Sequence, residues 1–321
     1  MDFLLSDIHD DLASTVDAQL TKADIPARAR AWATGDRTAV TEVFAALAET
    51  GVNGLLIDES AGGSSAGATE LVVAMEQIGR HALPGPVVES IAVLPVLFRT
   101  ANITGERVSA LAEGTFATCA VPPLAPLAPL ADTAYLVHDG VLSVATAGSP
   151  VATVDPTRTV CELSAESTLA ENVDTADAAD IGTLATAAQL LGLAGAMLTM
   201  AAEYAQARKQ FGRAIGSFQA VKHHLADVAI AVEMARPLVL GAALGIDGLV
   251  PEDTDVRRDV AAAKVAAGDA AYLASRRALQ VLGAIGYTSE HDLSLYLTKT
   301  RALRSTWGTP AVLRQRVLES L

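Results

Sequence analysis

A run of 22 residues without a charged side chain, from Ile181 to Ala202, constrains the fold of this chain more than any other segment. Its sequence, IGTLATAAQLLGLAGAMLTMAA, is rich in Ala, Gly and Thr and carries the amide of Gln189. A helix that is apolar on every side must be buried, either in the core of a large protein or in a membrane. The flanking segments read as an ordinary globular protein. We therefore predict a buried core helix and no membrane span.

The composition indicates a mainly helical, acidic protein. Hydrophobic residues make up 51% of the 321 positions but aromatic residues only 4%, so the apolar content is mostly Ala, Leu and Val. Ala and Leu are strong helix formers. The 37 acidic and 23 basic residues give a formal charge of -14, which argues against binding to nucleic acid. The acidic amino terminus lacks a secretory signal pattern, which predicts a cytoplasmic location. No group of His, Cys, Asp or Glu residues has the spacing of a metal site, so no metal is expected.

Three segments with different predicted secondary structure follow one another along the chain. Residues 1–112 and 176–321 read as helical domains, whereas residues 113–175 read as a small β domain. In the middle segment, PPLAPLAPLAD has four prolines in its first eight residues, which excludes a helix or a central strand. The turn His138-Asp139-Gly140, between two strand-like runs, indicates a β-hairpin.

The stretch between Glu203 and Asp227 departs from the acidic character of the chain. Its 23 residues include four basic side chains and no Asp or Glu. Arg208 is predicted near a helix end, Gly212 would loosen or end that helix, and the next helix would begin near Ser217 as its N-cap. A guanidinium suits a phosphate, and glycine lets a backbone approach a ligand. On charge alone, a phosphate site and a solvated turn both remain open.

A second cluster, QVLGAIGYTSEHDLSLYLTKTRA, interrupts an apolar helix with Gly283 and Gly286, a pattern that by itself is also compatible with close helix packing. Together the two clusters resemble the signatures of the FAD-dependent acyl-CoA dehydrogenases. The segment LAETGVNGLLIDESAGGSSAGATELVVAMEQIGRHALPGP is similar to their opening domain. The first signature, Y-x-x-x-R-x-x-F-G-x-x-I-x-x-x-Q, is matched at Tyr204, Arg208, Phe211, Gly212, Ile215 and Gln219.

The resemblance implies an N-terminal helical domain, a middle β domain that is shortened here, and a C-terminal four-helix bundle. It also implies dimers or tetramers in which FAD lies across a subunit interface. Arg208 would contact the pyrophosphate of an FAD held mainly by a neighbouring subunit, and Phe211 and Gln219 would line the same site. The adenosine end of FAD would be contacted by Gln280, Gly283 and Ala284. Ala284 stands where the family pattern has its second glycine.

The same resemblance implies that a catalytic group is missing. Family members remove a proton from the α carbon of an acyl-CoA with a Glu, while the flavin takes a hydride from the β carbon. That Glu stands in one of two places, which are occupied here by Trp307 and Gly182. Asp180 matches a family Asp that helps to hold CoA, but the usual Arg three residues later is Thr183. Asp180 would also face the wrong way for a base, because two helical residues span about 200°.

The β domain departs from the family pattern as well. Val121-Pro122-Pro123 stand where the family has Thr-Glu-Pro in a loop that binds flavin and substrate, and no tryptophan lies in this segment to pack on the flavin. The chain would thus contribute residues to the FAD site of a neighbouring subunit, but it lacks many of the residues that would bind an FAD of its own. This pattern resembles the smaller subunit of heteromeric bacterial acyl-CoA dehydrogenases, notably those acting on steroid side-chain CoA thioesters. In such α2β2 assemblies the other subunit brings the catalytic Glu.

Three functions are therefore open. The chain could complete the FAD site of a catalytic partner and be inactive alone. It could instead be a self-sufficient homo-oligomeric acyl-CoA dehydrogenase with an unusual base, Asp180 or Glu290, although Glu290 is expected to anchor the loop after Gly286. It could also be a binding or scaffold protein on this fold. Loss of a general base costs roughly 10²- to 10⁴-fold in rate, which favours the first function over the second.

Overall fold

A computed structural model describes residues 5–121, 125–127 and 130–320. Within these ranges the protein is mainly helical. The described helices are α1 (Asp7–Lys22), α2 (Ile25–Ala33), α3 (Thr38–Glu49), α4 (Ala68–Arg80), α5 (Leu94–Thr100), α6 (Glu106–Ala112), α7 (Ala176–Ala207), α8 (Gln219–Ile246), α9 (Val256–Leu282), α10 (Leu293–Leu303) and α11 (Pro310–Glu319). The described strands are β1 (Ala117–Ala120), β2 (Ala125–Pro126), β3 (Thr133–His138), β4 (Val141–Ala147), β5 (Val151–Ala152), β6 (Thr159–Cys161), β7 (Leu163–Ala170), β8 (Lys209–Gln210) and β9 (Arg213–Ala214).

The uncharged run lies in α7, the central helix of the protein. This helix packs against α4, α8 and α9, and 89% of its most apolar 18-residue window is buried inside the protein. The prediction of a core helix is therefore confirmed. The helix α8 is also long and apolar enough to cross a membrane by length and composition, but only 39% of its corresponding window is buried.

Two glycines bring the backbones of α4 and α7 into direct contact. A Cβ atom added at Gly192 would lie 2.0 Å from the Glu76 carbonyl oxygen, and one added at Gly79 would lie 2.2 Å from the Gln189 carbonyl oxygen. Each glycine thus faces the backbone of the other helix. Because no side chain fits between them, the N-terminal helices are fixed closely against the bundle.

The helices α7, α8 and α9 run up, down and up. The side chains of Asp227 and Arg277 pair near the start of α8 and the end of α9, while Gly245 and Val256 meet at the opposite end. Residues 208–218 and 247–255 connect these helices, which run antiparallel to their neighbours as in an up-and-down bundle. The end of α7, the start of α8 and the end of α9 therefore lie at one end of the bundle, which we call the hairpin end.

The β domain contains two small sheets. One has the strand order β1-β3-β4-β7 and the other β2-β6-β5. Strands β3 and β4 are joined through Asp139 and Gly140, which have φ angles of 49° and 74°, so the predicted hairpin is confirmed. Of the proline-rich segment, Ala125 and Pro126 form the edge strand β2, whereas Pro122 and Pro123 lie outside the described residues.

Buried polar contacts join the β domain to both helical regions. The Lys299 ammonium of α10 lies 3.6 Å from Asp155 Oδ2, and the Trp32 indole of α2 donates to the Thr157 carbonyl oxygen at 2.9 Å. All four residues are buried. Removing either member of a buried ion pair leaves an uncompensated charge, so Lys299 and Asp155 together fix the β domain against α10.

Substitution of Gly192 tests the contact between α4 and α7. We expect Gly192→Ala to lower the free energy of unfolding by roughly 2–3 kcal/mol, because the new methyl group overlaps the Glu76 carbonyl. Urea unfolding of the two proteins measures the difference. Gly195→Ala is the matched control on the same helix, since its Cβ would come no closer than 3.8 Å to Arg80. The control should be neutral or stabilising by up to about 1 kcal/mol; equal effects of the two substitutions would contradict the contact.

Candidate functional site

The basic stretch forms a short β-hairpin that projects from the end of α7. Strands β8 and β9 pair around Phe211 and Gly212, with φ angles of 53° and 80°. The sequence predicted only a loosened turn, because the strands have two residues each and carry no strand periodicity. The predicted start of α8 is also corrected: the helix begins at Gln219 with Phe218 as its N-cap, while the Ser217 hydroxyl donates to the Ala214 carbonyl oxygen.

The hairpin holds Phe211 in a backbone conformation that is unfavourable for an aromatic residue. Two-residue hairpin turns with positive φ at both positions favour Asn or Gly at the first. The Phe211 side chain is 91% exposed, and its ring pairs edge-on with the Phe218 ring, with centroids 6.1 Å apart. The Arg213 guanidinium lies 4.1 Å above that same Phe218 ring. Because the Phe211 ring is so exposed, packing against the described residues does little to offset the cost of this backbone conformation. Strained residues of this kind are typical of sites that act on a ligand or a partner.

The second predicted cluster lies at the same end of the bundle. Helix α9 ends at Leu282, Gly283 follows with a φ of 65°, and a 3-10 helix runs over Gly283–Tyr287. The predicted phosphate and adenosine contacts are thus gathered at the hairpin end by the up-down-up topology. Within the described part of the chain, none of the predicted polar side chains there has a hydrogen-bond partner, and all six predicted contact residues are exposed: Arg208, Phe211, Gln219, Gln280, Gly283 and Ala284.

Gly182 and Trp307, the two positions predicted to correspond to the family base, lie together at the other end of α7. A Cβ atom added at Gly182 would lie 2.8 Å from Trp307 Cδ2 and 2.8 Å from Val93 Cγ2. The indole of Trp307 therefore fills the space into which a longer side chain at position 182 would project. A side chain longer than that of glycine at position 182 would therefore overlap the Trp307 ring.

The loop that carries Trp307 is held by side chains from two helices of the bundle. The Thr183 hydroxyl donates to the Trp307 carbonyl oxygen at 2.7 Å. The Lys264 ammonium donates to the carbonyl oxygens of Thr306, at 2.6 Å, and Gly308, at 3.5 Å. Burial lowers the pKa of Lys264 to about 7. Trp307 itself has a φ of 51°, so these contacts hold its ring against Gly182 in a strained turn.

Glu89 lies beside Trp307, and sequence reasoning missed it. Its Oε1 atom accepts a hydrogen bond of 2.9 Å from the Trp307 indole. The side chain is 2% exposed, and burial raises the pKa of its carboxyl group. Glu89 begins a π-helical turn, Glu89–Val93, just before Pro95, whose ring disfavours a regular helix there. The one local signal for this turn is the proline in the sequence VESIAVLP. Trp307, the hydrogen-bond partner of Glu89, is 218 residues away in the sequence, so the pair could not be predicted.

Glu89 and Trp307 line a cavity of about 660 Å³ between the β domain and the bundle. A larger groove of about 1060 Å³ lies between α3, α5 and α6 and contains none of the predicted site residues. The predicted site residues and Glu89 therefore lie in two separate places within the described part of the chain. One is the exposed hairpin end, and the other is the cavity beside Trp307.

The two carboxylates considered as substitute bases do not lie at this cavity. Asp180 Oδ1 accepts from Arg316 at 2.8 Å, and its Oδ2 lies 3.3 Å from Arg257 Nε, so both oxygens are engaged. Glu290 follows the 3-10 helix at the hairpin end and is exposed. The expectation that Glu290 anchors its loop is wrong for the described contacts: Arg30 instead binds Asp292 at 2.7 Å and the Ser289 carbonyl oxygen at 3.2 Å.

The helical, β and bundle segments together define an acyl-CoA dehydrogenase fold. Residues 6–102 match the family model for the acyl-CoA dehydrogenase N-terminal domain, and residues 175–321 match that for the C-terminal domain. The chain is 30% identical to acyl-CoA dehydrogenase IpdE2 of Mycobacterium tuberculosis over 311 residues, which cover 95% of each protein. It is 28% identical to IpdE2 of Mycolicibacterium smegmatis over 313 residues, covering 95% and 96%. The chain belongs to the acyl-CoA dehydrogenase family.

Solved structures share this fold at low sequence identity. The ChsE4-ChsE5 complex from Mycobacterium tuberculosis matches with a TM-score of 0.84 and 23% identity, over 100% of this chain and 98% of that one. A variant of the Tcur3481-Tcur3483 steroid ACAD matches with a TM-score of 0.84 and 23% identity, over 97% and 96%. Butyryl-CoA dehydrogenase from Megasphaera elsdenii matches with a TM-score of 0.84 and 20% identity, over 100% and 99%.

A double-mutant cycle tests the contact between Gly182 and Trp307. Gly182→Ala should lower the free energy of unfolding by about 1–3 kcal/mol, since its methyl group meets the indole. In a Trp307→Ala background the ring is gone, so the same substitution should cost less, with a coupling of at least about 0.5 kcal/mol. Urea unfolding of the four proteins measures the cycle. Effects that add within about 0.3 kcal/mol would show that the ring does not fill this space.

Proposed function

We propose that the chain is a subunit of a heteromeric FAD-dependent acyl-CoA dehydrogenase and completes the FAD site of a catalytic partner subunit. The partner carries the Glu base, and the two chains form an α2β2 assembly. The reaction is the α,β-dehydrogenation of an acyl-CoA thioester, with a steroid side-chain CoA as the substrate class. The family of the chain and its likeness to the Tcur3481-Tcur3483 steroid ACAD support this proposal.

The separation of the two ends of α7 carries the proposal. From Gly182 to Ala207 the helix rises 25 residues, or about 38 Å at 1.5 Å each. A flavin dinucleotide cannot extend from the cavity beside Trp307 to the hairpin end. The FAD contacted by Arg208 would therefore have its flavin in another chain, which fits a cofactor shared across an interface.

The residues at the hairpin end fit the phosphate portion of a dinucleotide. Arg208, Lys209 and Arg213 are exposed, and no Asp or Glu occurs within the hairpin. Arg208 would bind the pyrophosphate through its planar guanidinium, with Gly212 allowing close approach of the backbone. When bound, FAD supplies the acceptor for the hydride, which no side chain can provide. Val121, where the family has the Thr of Thr-Glu-Pro, offers the flavin no hydrogen bond from its side chain.

An exposed apolar row on α8 supports a protein partner. Ile230, Met234 and Leu238 are 63%, 69% and 45% exposed and are spaced four residues apart, so they lie on one face of the helix. Such a contiguous apolar face is typical of an interaction surface. The likeness to the ChsE4-ChsE5 complex supports a second acyl-CoA dehydrogenase chain as the partner.

A self-sufficient enzyme would need a carboxylate positioned as the catalytic base, and none of the carboxylates considered is so positioned. Asp180 is held by two arginines, Glu290 lies at the opposite end of the bundle, and Trp307 and Gly182 carry no carboxyl group. The scaffold alternative leaves the exposed cations of the hairpin without a role. Both alternatives differ from our proposal in the flavin content that they predict.

Flavin content of purified complexes tests the proposal. The chain would be purified alone and after co-expression with a paralogue that has Glu at either family base position. We expect little flavin absorbance in the lone chain and one FAD per two chains in the complex. Only the complex should dehydrogenate steroid-CoA or fatty acyl-CoA substrates, because the base belongs to the partner.

Each alternative has its own outcome in this experiment. A lone chain that is yellow, with stoichiometric flavin and acyl-CoA dehydrogenation, would overturn the proposal in favour of a homo-oligomeric enzyme. The absence of flavin and turnover with every partner would favour a scaffold protein.

A further inference from the structure

One buried amine holds the loop that carries Trp307. We call residues 304–309, which connect α10 to α11, the Trp307 loop. Lys264 of α9 is 2% exposed, and its Nζ atom donates to the carbonyl oxygens of Thr306 and Gly308, the two neighbours of Trp307 in the sequence. The position of the Trp307 ring therefore depends on a side chain that can gain or lose a proton.

Among the described residues, no carboxylate offsets the charge of Lys264. The helix α7, which packs against α9, has no charged side chain from Ile181 to Ala202. The charge that acts on Lys264 belongs to Arg304, at the end of α10, and has the same sign. Asp269 of α9 is engaged by Arg304 and by Arg314 of α11. A buried charge without a counter-charge is costly, so the fold favours the neutral amine.

The turn at Trp307 is held in a conformation that a bulky residue adopts at a cost. Its φ angle is 51°, in the left-handed region. Besides the bonds from Lys264, the Thr183 hydroxyl donates to the Trp307 carbonyl oxygen, and the Trp307 indole donates to Glu89. Few contacts thus offset the strain, and a segment of this kind opens locally when one of them is lost.

We propose that Lys264 is a proton-sensitive latch: uptake of a proton by its amine opens the Trp307 loop, and release of the proton closes it. Burial lowers the pKa of Lys264 from 10.5 to about 7 in the closed loop. In the open loop the amine reaches water, which restores the ordinary pKa. The open loop therefore binds the proton more tightly, so opening is favoured as the pH falls from 10.5 to about 7.

The buried acid beside Trp307 titrates in the opposite sense. Burial raises the pKa of Glu89, so a proton on its carboxyl group favours the closed loop, in which that group is buried. The two effects can be separated, because Glu89→Gln removes the carboxyl group and leaves Lys264 in place. Opening at lower pH should therefore persist in Glu89→Gln.

This latch is independent of the proposed FAD role. It lies at the opposite end of α7 from Arg208, and it requires neither flavin nor a partner chain. Its failure would leave the flavin content of the complex unchanged, and a failed flavin experiment would leave the latch untouched.

Hydrogen exchange of the full chain at about pH 6 and about pH 8, read by mass spectrometry, tests the latch. The Thr306 amide donates to the Leu303 carbonyl oxygen in the closed loop and is protected there. After correction for the intrinsic rate at each pH, its exchange gives the equilibrium constant for opening. This constant should be about tenfold larger at the lower pH, because it changes about tenfold per pH unit above the pKa of the closed loop and little below it.

Lys264→Met removes the titrating group and keeps a long apolar side chain in the buried space, so its opening constant should be the same at the two pH values. Lys22→Met, a change at an exposed lysine of α1, is the matched control and should keep the tenfold difference. The first half of α10, measured in the same samples, should show no difference between the two pH values.

Equal opening constants at the two pH values in the unaltered chain, or a larger constant at the higher pH, would overturn the proposal. A Lys264→Met protein that keeps the tenfold difference would overturn it too, as would a difference that disappears in Glu89→Gln. Because the comparison of the two pH values uses the unaltered chain, it does not depend on the folding of any variant.

Discussion

The close crossing of α4 and α7 is the contact on which the rest of the structure depends. Gly79 and Gly192 bring two helix backbones together without intervening side chains, and this contact fixes the N-terminal domain on the bundle. It also holds α7 as a buried rod. One end of that rod carries Gly182 against Trp307, and the other carries the basic hairpin with Arg208. The distance between the two places is thus set by the length of one helix.

Local patterns in the sequence were sufficient to predict the elements that depend on local forces. The uncharged run predicted the core helix α7, and Asp139-Gly140 predicted the hairpin between β3 and β4, because charge desolvation and turn geometry act within a few residues. The exposed residues of the hairpin end were predicted to contact FAD from their resemblance to family signatures. Their role toward FAD stays a prediction.

Features that depend on contacts distant in sequence could not be predicted. Gly182 and Trp307 are separated by 125 positions, and Glu89 and Trp307 by 218, so no periodicity links them. The β8-β9 hairpin was missed for another reason: Phe211 adopts a positive φ angle that local preference assigns to Asn or Gly. Both failures fall at the candidate functional sites, where local rules are often broken. The ring of Trp307 fills the space beside Gly182, while the side chain of Phe211 is exposed to solvent.

The affinity of the co-purified complex for FAD tests the central claim most directly. FAD would be removed and titrated back, with flavin fluorescence as the readout, into complexes that contain either the unaltered chain or Arg208→Gln. Our account predicts that Arg208→Gln weakens FAD binding by about tenfold or more, since a guanidinium contact to phosphate is lost. Arg314→Gln, which removes a guanidinium from α11, should bind FAD like the unaltered complex. Unchanged FAD affinity in the Arg208→Gln complex would contradict the claim that this chain completes its partner's cofactor site.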